Sequence, residues 1–290
     1  MTNTAQDPAA TGRFDFYGAH YGRFGSDLAA ALRREVYGED LGQTGWRTIA
    51  EQGDIVESLR LGPDAHLLDI GCGSGGPSLA LVERAGCRVT GLDAEAAGIA
   101  QATAQAAARG LADRAGFRVA DCGGGLPFAD DSFDAVLCVD AINHLPDRFG
   151  TLREWARLLR PGGGLLFTDP VVVTGAVAKA ELDVRAGLGF YLFVPPGLNE
   201  AAVAAAGLVL RRREDHTPAV AEIAVRWHAV RARHAAELER AEGTDWFARR
   251  QRFLAMTAEL AAGRRLSRFL YLAEKSPPAG GAPGARAGRK

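Results

Sequence analysis

The chain has few cysteines, no long apolar run and almost no net charge, and each shortage excludes something. Its four cysteines, Cys72, Cys87, Cys122 and Cys138, form no CxxC pair. Three fall in or beside predicted strands, and Cys72 falls in a glycine-rich loop. That spacing favours reduced thiols filling small spaces over a disulfide framework or a metal site. No segment approaches the roughly 18 uninterrupted apolar residues of a membrane span. The first residues, MTNTAQDPAATGR, lack the charged-then-apolar pattern of a signal peptide. A cytoplasmic protein with no membrane partner is therefore expected. The formal net charge of −1 gives no long-range attraction to nucleic acid. No internal repeat is visible.

What is present is an ordinary globular composition. With 290 residues, 47% hydrophobic and 24% charged, the chain can bury one core with additions, or two small ones. Residues 1–12 and 276–290 read as tails, the latter because SPPAGGAPGARAGRK is too rich in Pro, Gly and Ala to pack. Residues 13–60 read as an N-terminal helical lid carrying Phe14, Phe16, Tyr17, Tyr21, Phe24, Tyr37 and Trp46. Residues 61–275 read as one α/β domain. Strands are predicted at His66–Ile70, Cys87–Asp93, Gly116–Ala120, Phe133–Val139 and Gly164–Asp169, with helices between them. A helix over Arg148–Leu159 should stop at Pro161-Gly162-Gly163. This alternation predicts a parallel sheet with helices on both faces. Residues 199–206 form a short predicted helix and 207–214 a strand. A helical insertion over about 216–263 then precedes a last strand at Leu266–Leu272, and would cap the sheet's carboxyl edge.

The richest segment is LLDIGCGSGGPSLAL, residues 67–81. An apolar strand ends in Asp69, glycines follow at Gly71, Gly73, Gly75 and Gly76, and a helical pattern begins at once. Such a turn lets a nucleotide-like ligand lie against backbone. The GxGxxG spacing alone also fits NAD binding. Against that stand the acid two residues before the first glycine, the GxGxG spacing through Gly75, and further acids at strand ends, Asp121 and Asp140.

As a set, DIGCGSG, GLDAE, VADCGGGLPFADDSFDAV and LLRPGGGLLFTD resemble the class I S-adenosylmethionine-dependent methyltransferases over residues 60–170. The resemblance implies a Rossmann-like α/β sheet, S-adenosylmethionine as cofactor and S-adenosylhomocysteine as product. It implies that Gly71, Cys72, Gly73 and Gly75 cradle the cofactor's amino-acid portion, and that Asp93, with Ala94 beside it, receives the ribose hydroxyls. Asp121 would accept from the adenine amino group, the Cys122 N–H would serve a ring nitrogen, and Asp69 would order the loop. Asp93 could also simply cap the following helix, and Asp121 could be only a turn residue.

After the fourth strand, CVDAINHLPD is similar to a segment of the phosphoethanolamine methyltransferases in which a histidine acts with an N-terminal tyrosine. Carried over, the acid is Asp140 and the histidine His144. Upstream, EVYGEDLGQTGW is similar to a cofactor-contacting segment of that family and makes Gln43 a cofactor contact. The tyrosine would be Tyr21 or Tyr17; His20 reads as a solvated neighbour. A histidine of near-neutral pKa suits removal of a proton from the acceptor, and a tyrosine can orient it. His144 and Tyr21 also suit plain packing roles. Phe190, Tyr191, Phe193, Trp227, His228, Trp246 and Phe247 could line an acceptor pocket or lie in the core. Arg211, Arg212 and Arg213 could bind phosphate but read as a solvated strand end.

The expected activity is methyl transfer to N, O or C of a small molecule, without a metal, by a monomer or homodimer. A non-catalytic cofactor-binding regulator and a nucleic-acid methyltransferase are the alternatives. The last is disfavoured because Asp140-Ala141-Ile142-Asn143 stands where an Asn/Asp-Pro-Pro-aromatic segment would be needed.

Overall fold

The computed structural model describes residues 21–277. The predicted tail 1–12, all of 276–290 except its first two residues, and the candidates Tyr17 and His20 lie outside the described residues.

The apolar run HLLDI makes β1 (His66–Ile70), and its neighbours on either side are β2 (Arg88–Asp93) and β4 (Phe133–Cys138). With β3 (Ala115–Val119), β5 (Leu159–Val173), β6 (Leu208–Asp215) and β7 (Leu266–Lys275), the sheet order is β3-β2-β1-β4-β5-β7-β6. The first five strands are parallel, but β7 runs antiparallel to both β5 and β6. The wholly parallel sheet expected from the alternation is therefore corrected to a mixed one. The connection explains it: the helices between β6 and β7 lie at the sheet's carboxyl edge. The chain re-enters from the edge it left, which forces reversal.

The helices in chain order are α1 (Asp27–Tyr37), α2 (Ile49–Ser58), α3 (Gly76–Ala85), α4 (Ala96–Ala108), α5 (Arg148–Leu158), α6 (Lys179–Arg185), α7 (Leu198–Ala205), α8 (Thr217–Arg233), α9 (Ala235–Glu242) and α10 (Thr244–Ala262). Side-chain caps set several starts: Ser26 accepts from the Ala29 N–H, Thr48 from Glu51 and Asp147 from Gly150. Among the described residues no helix is long and apolar enough to cross a membrane.

Alternation along β1 divides the core. Leu68 and Ile70 join Phe133, Trp155, Phe167 and Tyr271 on one face. Leu67 joins Ile55, Leu59, Leu79 and Val82 on the other. A third cluster, with Val36, Trp227, Phe253 and Leu254, knits α1 to α8 and α10 beyond the sheet's end.

Pro161-Gly162-Gly163 is not a stop before the strand. The helix ends at Leu158 and β5 begins at Leu159. The pairing then jumps from Phe133–Leu159 to Ala135–Gly164, so residues 160–163 bulge out, with Gly162 at φ 79°. A second shift, between Asp169 and Val172, falls at Pro170, which has no N–H to donate to β7.

Candidate active site

The turn after β1 is held from β2. The N–H groups of Gly71 and Cys72 both donate to the Leu92 carbonyl, at 2.8 and 3.0 Å. Gly71 has φ 73°, and a Cβ there would collide with the Ala141 side chain. Gly73 has φ 56°, and a Cβ there would collide with the Tyr21 hydroxyl. Behind the turn, the buried Asp69 carboxylate accepts from the Ser78 hydroxyl at 2.5 Å, which ties β1 to α3. Burial pushes Asp69 up, while Ser78 and Arg47 oppose it.

Asp93 closes β2. Its Oδ2 accepts from the Gly73 N–H at 2.8 Å and its Oδ1 from the Glu95 N–H at 2.9 Å. A carboxylate has about four acceptor positions, so its partners leave room for a ligand hydroxyl. Burial pushes Asp93 up, against the Glu95, Gly73 and Ala94 N–H groups. Asp121 is exposed and accepts from the Gly123 N–H at 2.9 Å. The Cys122 thiol, pushed up to about 12 by burial and then by Asp93, is no nucleophile at neutral pH.

These strand ends open on a cavity of about 300 Å³. Gly71, Asp93, Ala94, Asp121, Cys122 and Asp140 line it from the sheet; Arg185, Tyr191, Trp227, Arg250 and Phe253 line it from the segments beyond. Tyr21 and His144 reach the same cavity. Asp69, Cys72, Gly73 and Gln43 line a smaller one against the turn.

His144 ends a single 3₁₀ turn, Ile142–His144. Its Nδ1 lies 2.6 Å from the Phe190 carbonyl, so Nδ1 carries the proton and donates. Nε2 then carries the lone pair and sits 3.2 Å from the Asn143 amide nitrogen. Burial holds the imidazole below the usual histidine range; the Phe190 carbonyl opposes this and Arg185 adds to it. The Tyr21 hydroxyl is placed differently, over Gly73. Burial, and then Asp93, pushes its phenol far above the usual range, so it stays protonated.

Asp140 occupies a left-handed backbone conformation, φ 55°, that non-glycine residues rarely adopt. Its Oδ1 accepts from Arg268 Nε and from the Thr168 hydroxyl, each at 2.7 Å, and its Oδ2 from the Trp46 N–H at 2.7 Å. Arg268 Nη1 continues to Glu51 at 2.7 Å, and Glu51 to His216 at 3.0 Å. Burial pushes Asp140 up, but Arg268 outweighs it and the carboxyl ends below its usual range. The carboxylate thus ties the N-terminal segment to β5 and β7.

Two expected cofactor contacts lie outside the main cavity. Gln43 does not line the main cavity, because its Oε1 accepts from the Leu41 N–H and its Nε2 donates to the Glu39 carbonyl, closing its own turn. Gly75 lines neither cavity; at φ 74° it caps α3, and a Cβ there would press on Ala102 at 2.6 Å. Of the expected aromatics, Tyr191 and Trp227 reach the cavity, whereas Phe190 is exposed and Trp246 and Phe247 belong to the helical cluster. Arg211, Arg212 and Arg213 pair with Glu274, Glu214 and Glu200 along β6. Arg268, Glu51, Arg185 and Phe253 were missed. The one usable signal was an arginine inside the apolar strand LSRFLYL.

Residues 68–167 match the methyltransferase domain family. The chain is 31% identical over 234 residues to 27-O-demethylrifamycin SV methyltransferase of Amycolatopsis mediterranei, covering 75% of this chain and 86% of that one. The chain belongs to the S-adenosylmethionine-dependent methyltransferases. It is also 34% identical over 185 residues to methyltransferase GfsG of Streptomyces halstedii, covering 60% of this chain and 66% of that one. In fold, this methyltransferase superposes on a Haemonchus contortus phosphoethanolamine N-methyltransferase at TM-score 0.74 and 19% identity, over 91% of this chain and 60% of that one. The cofactor is S-adenosylmethionine, and the methyltransferase's donor set fits it. Asp93 keeps acceptor positions for vicinal hydroxyls, Asp121 offers a carboxylate to an amino group, and Gly71 places no side chain in the way. The NAD alternative falls with this assignment.

Proposed function

We propose that this enzyme methylates an oxygen or nitrogen of a small molecule bound between the strand ends and helices α8 and α10, with His144 as general base. The observation that carries the reading is the single cavity shared by Asp93, Asp121 and His144. When bound, S-adenosylmethionine supplies an electrophilic sulfonium methyl group. Asp93 receives the ribose hydroxyls, Asp121 and the Cys122 N–H receive the adenine, and Asp69 holds the turn in shape. Tyr21, protonated and packed on Gly73, closes this part of the site. Asp140 anchors the segment at Trp46 so that the N-terminal residues cover the cavity as a lid.

His144 is neutral at physiological pH because its burial disfavours the charged form. Its Nε2, on exchanging the Asn143 amide N–H for the acceptor, takes the proton from the acceptor's hydroxyl or ammonium group. The Phe190 carbonyl, already accepting from Nδ1, steadies the imidazolium that results. Tyr191, Trp227 and Phe253 exclude water and align the acceptor, which supplies much of the rate in such transfers. The A. mediterranei relative's name specifies methylation at an oxygen, and the H. contortus structure's name methylation at a nitrogen. Both fit a base-assisted acceptor.

The test is transfer of labelled methyl from S-adenosylmethionine to a panel of phenols, alcohols and amines. His144→Ala should lower turnover about 10²-fold or more while cofactor affinity stays near normal. In the native enzyme, kcat/KM should fall only below about pH 6.5, because the free imidazole titrates below the usual value. Full activity in His144→Ala would remove the base from the account.

A further inference from the structure

We infer that Arg185 forms an anion subsite in the acceptor cavity, so that the methyl acceptor carries a carboxylate or phosphate group. The inference deepens the functional reading above and rests on it.

Arg185 is the last residue of α6 and is only 2% exposed. Its guanidinium lies 4.8 Å from the ring centroids of both Tyr191 and Phe253. Nη1 is buried without a hydrogen-bond partner, and no carboxylate pairs with Arg185 among the described residues. Other arginines buried as deeply are paired: Arg268 with Asp140 and Glu51, Arg231 with Glu242, and Arg148 with Asp169. A desolvated cation without a counterion is costly, and aromatic faces offset only part of the loss of water. They also leave the guanidinium's N–H fork open, and that fork matches an oxyanion's two oxygens.

Arg185 lines the cavity that holds His144, which puts an unpaired guanidinium in the wall of the space an acceptor would fill. The carboxylates on the same cavity, Asp93, Glu95, Asp121 and Asp140, all sit at the strand ends, and Asp140 is compensated by Arg268. Arg250 adds a second guanidinium to the lining. Burial, and then Arg231, pushes it down to about 9, a shift that a bound anion would oppose. Acids thus mark the cofactor side and arginines the acceptor side.

The experiment uses the full chain saturated with S-adenosylhomocysteine and titrated calorimetrically with benzoate, phenyl phosphate and the neutral benzamide. Aromatic probes suit Tyr191 and Phe253, and the two anions separate carboxylate from phosphate. At least one anion should bind about tenfold or more tightly than benzamide. Arg185→Met, which keeps the aliphatic stem and loses the charge, should abolish that preference, and Arg185→Lys should retain part of it. Affinity for S-adenosylhomocysteine should stay within about twofold throughout, which reports an intact fold and cofactor site. Equal binding of anions and benzamide by the native protein, or a preference that survives in Arg185→Met, would overturn the subsite. The native comparison decides this even where a variant does not fold. Failure of the native protein to bind S-adenosylhomocysteine would overturn the underlying methyltransferase reading instead.

Discussion

Arg268→Met should cost this protein about 3 kcal/mol of folding stability. Arg268 is fully buried and bridges two nearly buried carboxylates, Asp140 and Glu51, whose side chains are 5% and 9% exposed. Removing one partner from a buried pair typically costs about 3–5 kcal/mol, because the remaining charge is desolvated without compensation. The lower end applies here, since Asp140 keeps the Trp46 N–H and Thr168, and Glu51 keeps His216. For a chain of this size that lowers the melting temperature by roughly 6–12 °C. Urea denaturation followed by fluorescence is well suited, since Trp46, Trp155, Trp227 and Trp246 are all buried. The native-to-variant difference should shrink as pH falls below about 4. Asp140 is held below its ordinary value, so its contribution is present above the unfolded carboxylate range and lost as pH drops through the folded one. A loss under about 1 kcal/mol, with an unchanged denaturant slope, would refute the claim that this arginine holds Asp140 and the N-terminal segment together.

Asp93→Ala should weaken S-adenosylmethionine binding by about 1.5–3 kcal/mol in a calorimetric titration, through lost charged hydrogen bonds; unchanged affinity would mean that the ribose lies elsewhere. Trp155→Ala empties the centre of one core face, where the indole is fully buried, and should destabilise by about 3–5 kcal/mol by chemical denaturation. His216→Gln tests the outer end of the charge chain. Glu51 raises His216 above its ordinary value, so its stabilisation is full below about pH 6.5 and is lost as pH rises through the raised value. The native-to-variant difference should fall over that window, with solvent screening keeping it to about 1 kcal/mol or less.

Strands β1, β2 and β4 are legible because each is a short, largely apolar run stopped by an acid, a glycine or a turn. HLLDI reads as a strand and is one, bounds included. The strand ends converge because parallel strands place them at one edge, so Asp93, Asp121 and His144, distant in sequence, face one cavity. What stays hidden is partnership at long range. Nothing near Arg268 announces Glu51 or Asp140, because a buried ion pair leaves no periodic trace. The seven residues of α6 are too few to show a helical face, so Arg185 passes unnoticed. Gln43 shows a local use that the motif hides: its amide closes its own turn through Leu41 and Glu39, while the residue lines the smaller cavity against the glycine loop. The LLRPGGGLLF segment misleads in a different way: Pro and Gly signal a break, and a bulge inside a long strand uses the same residues.

The most direct measurement is a crystal structure of the full chain with S-adenosylhomocysteine. The account predicts the ribose on Asp93, the adenine beside Asp121 and the Cys122 N–H, and the sulfur facing the space between His144 and Tyr191. A cofactor bound with its sulfur turned away from His144, or held without Asp93, would contradict it.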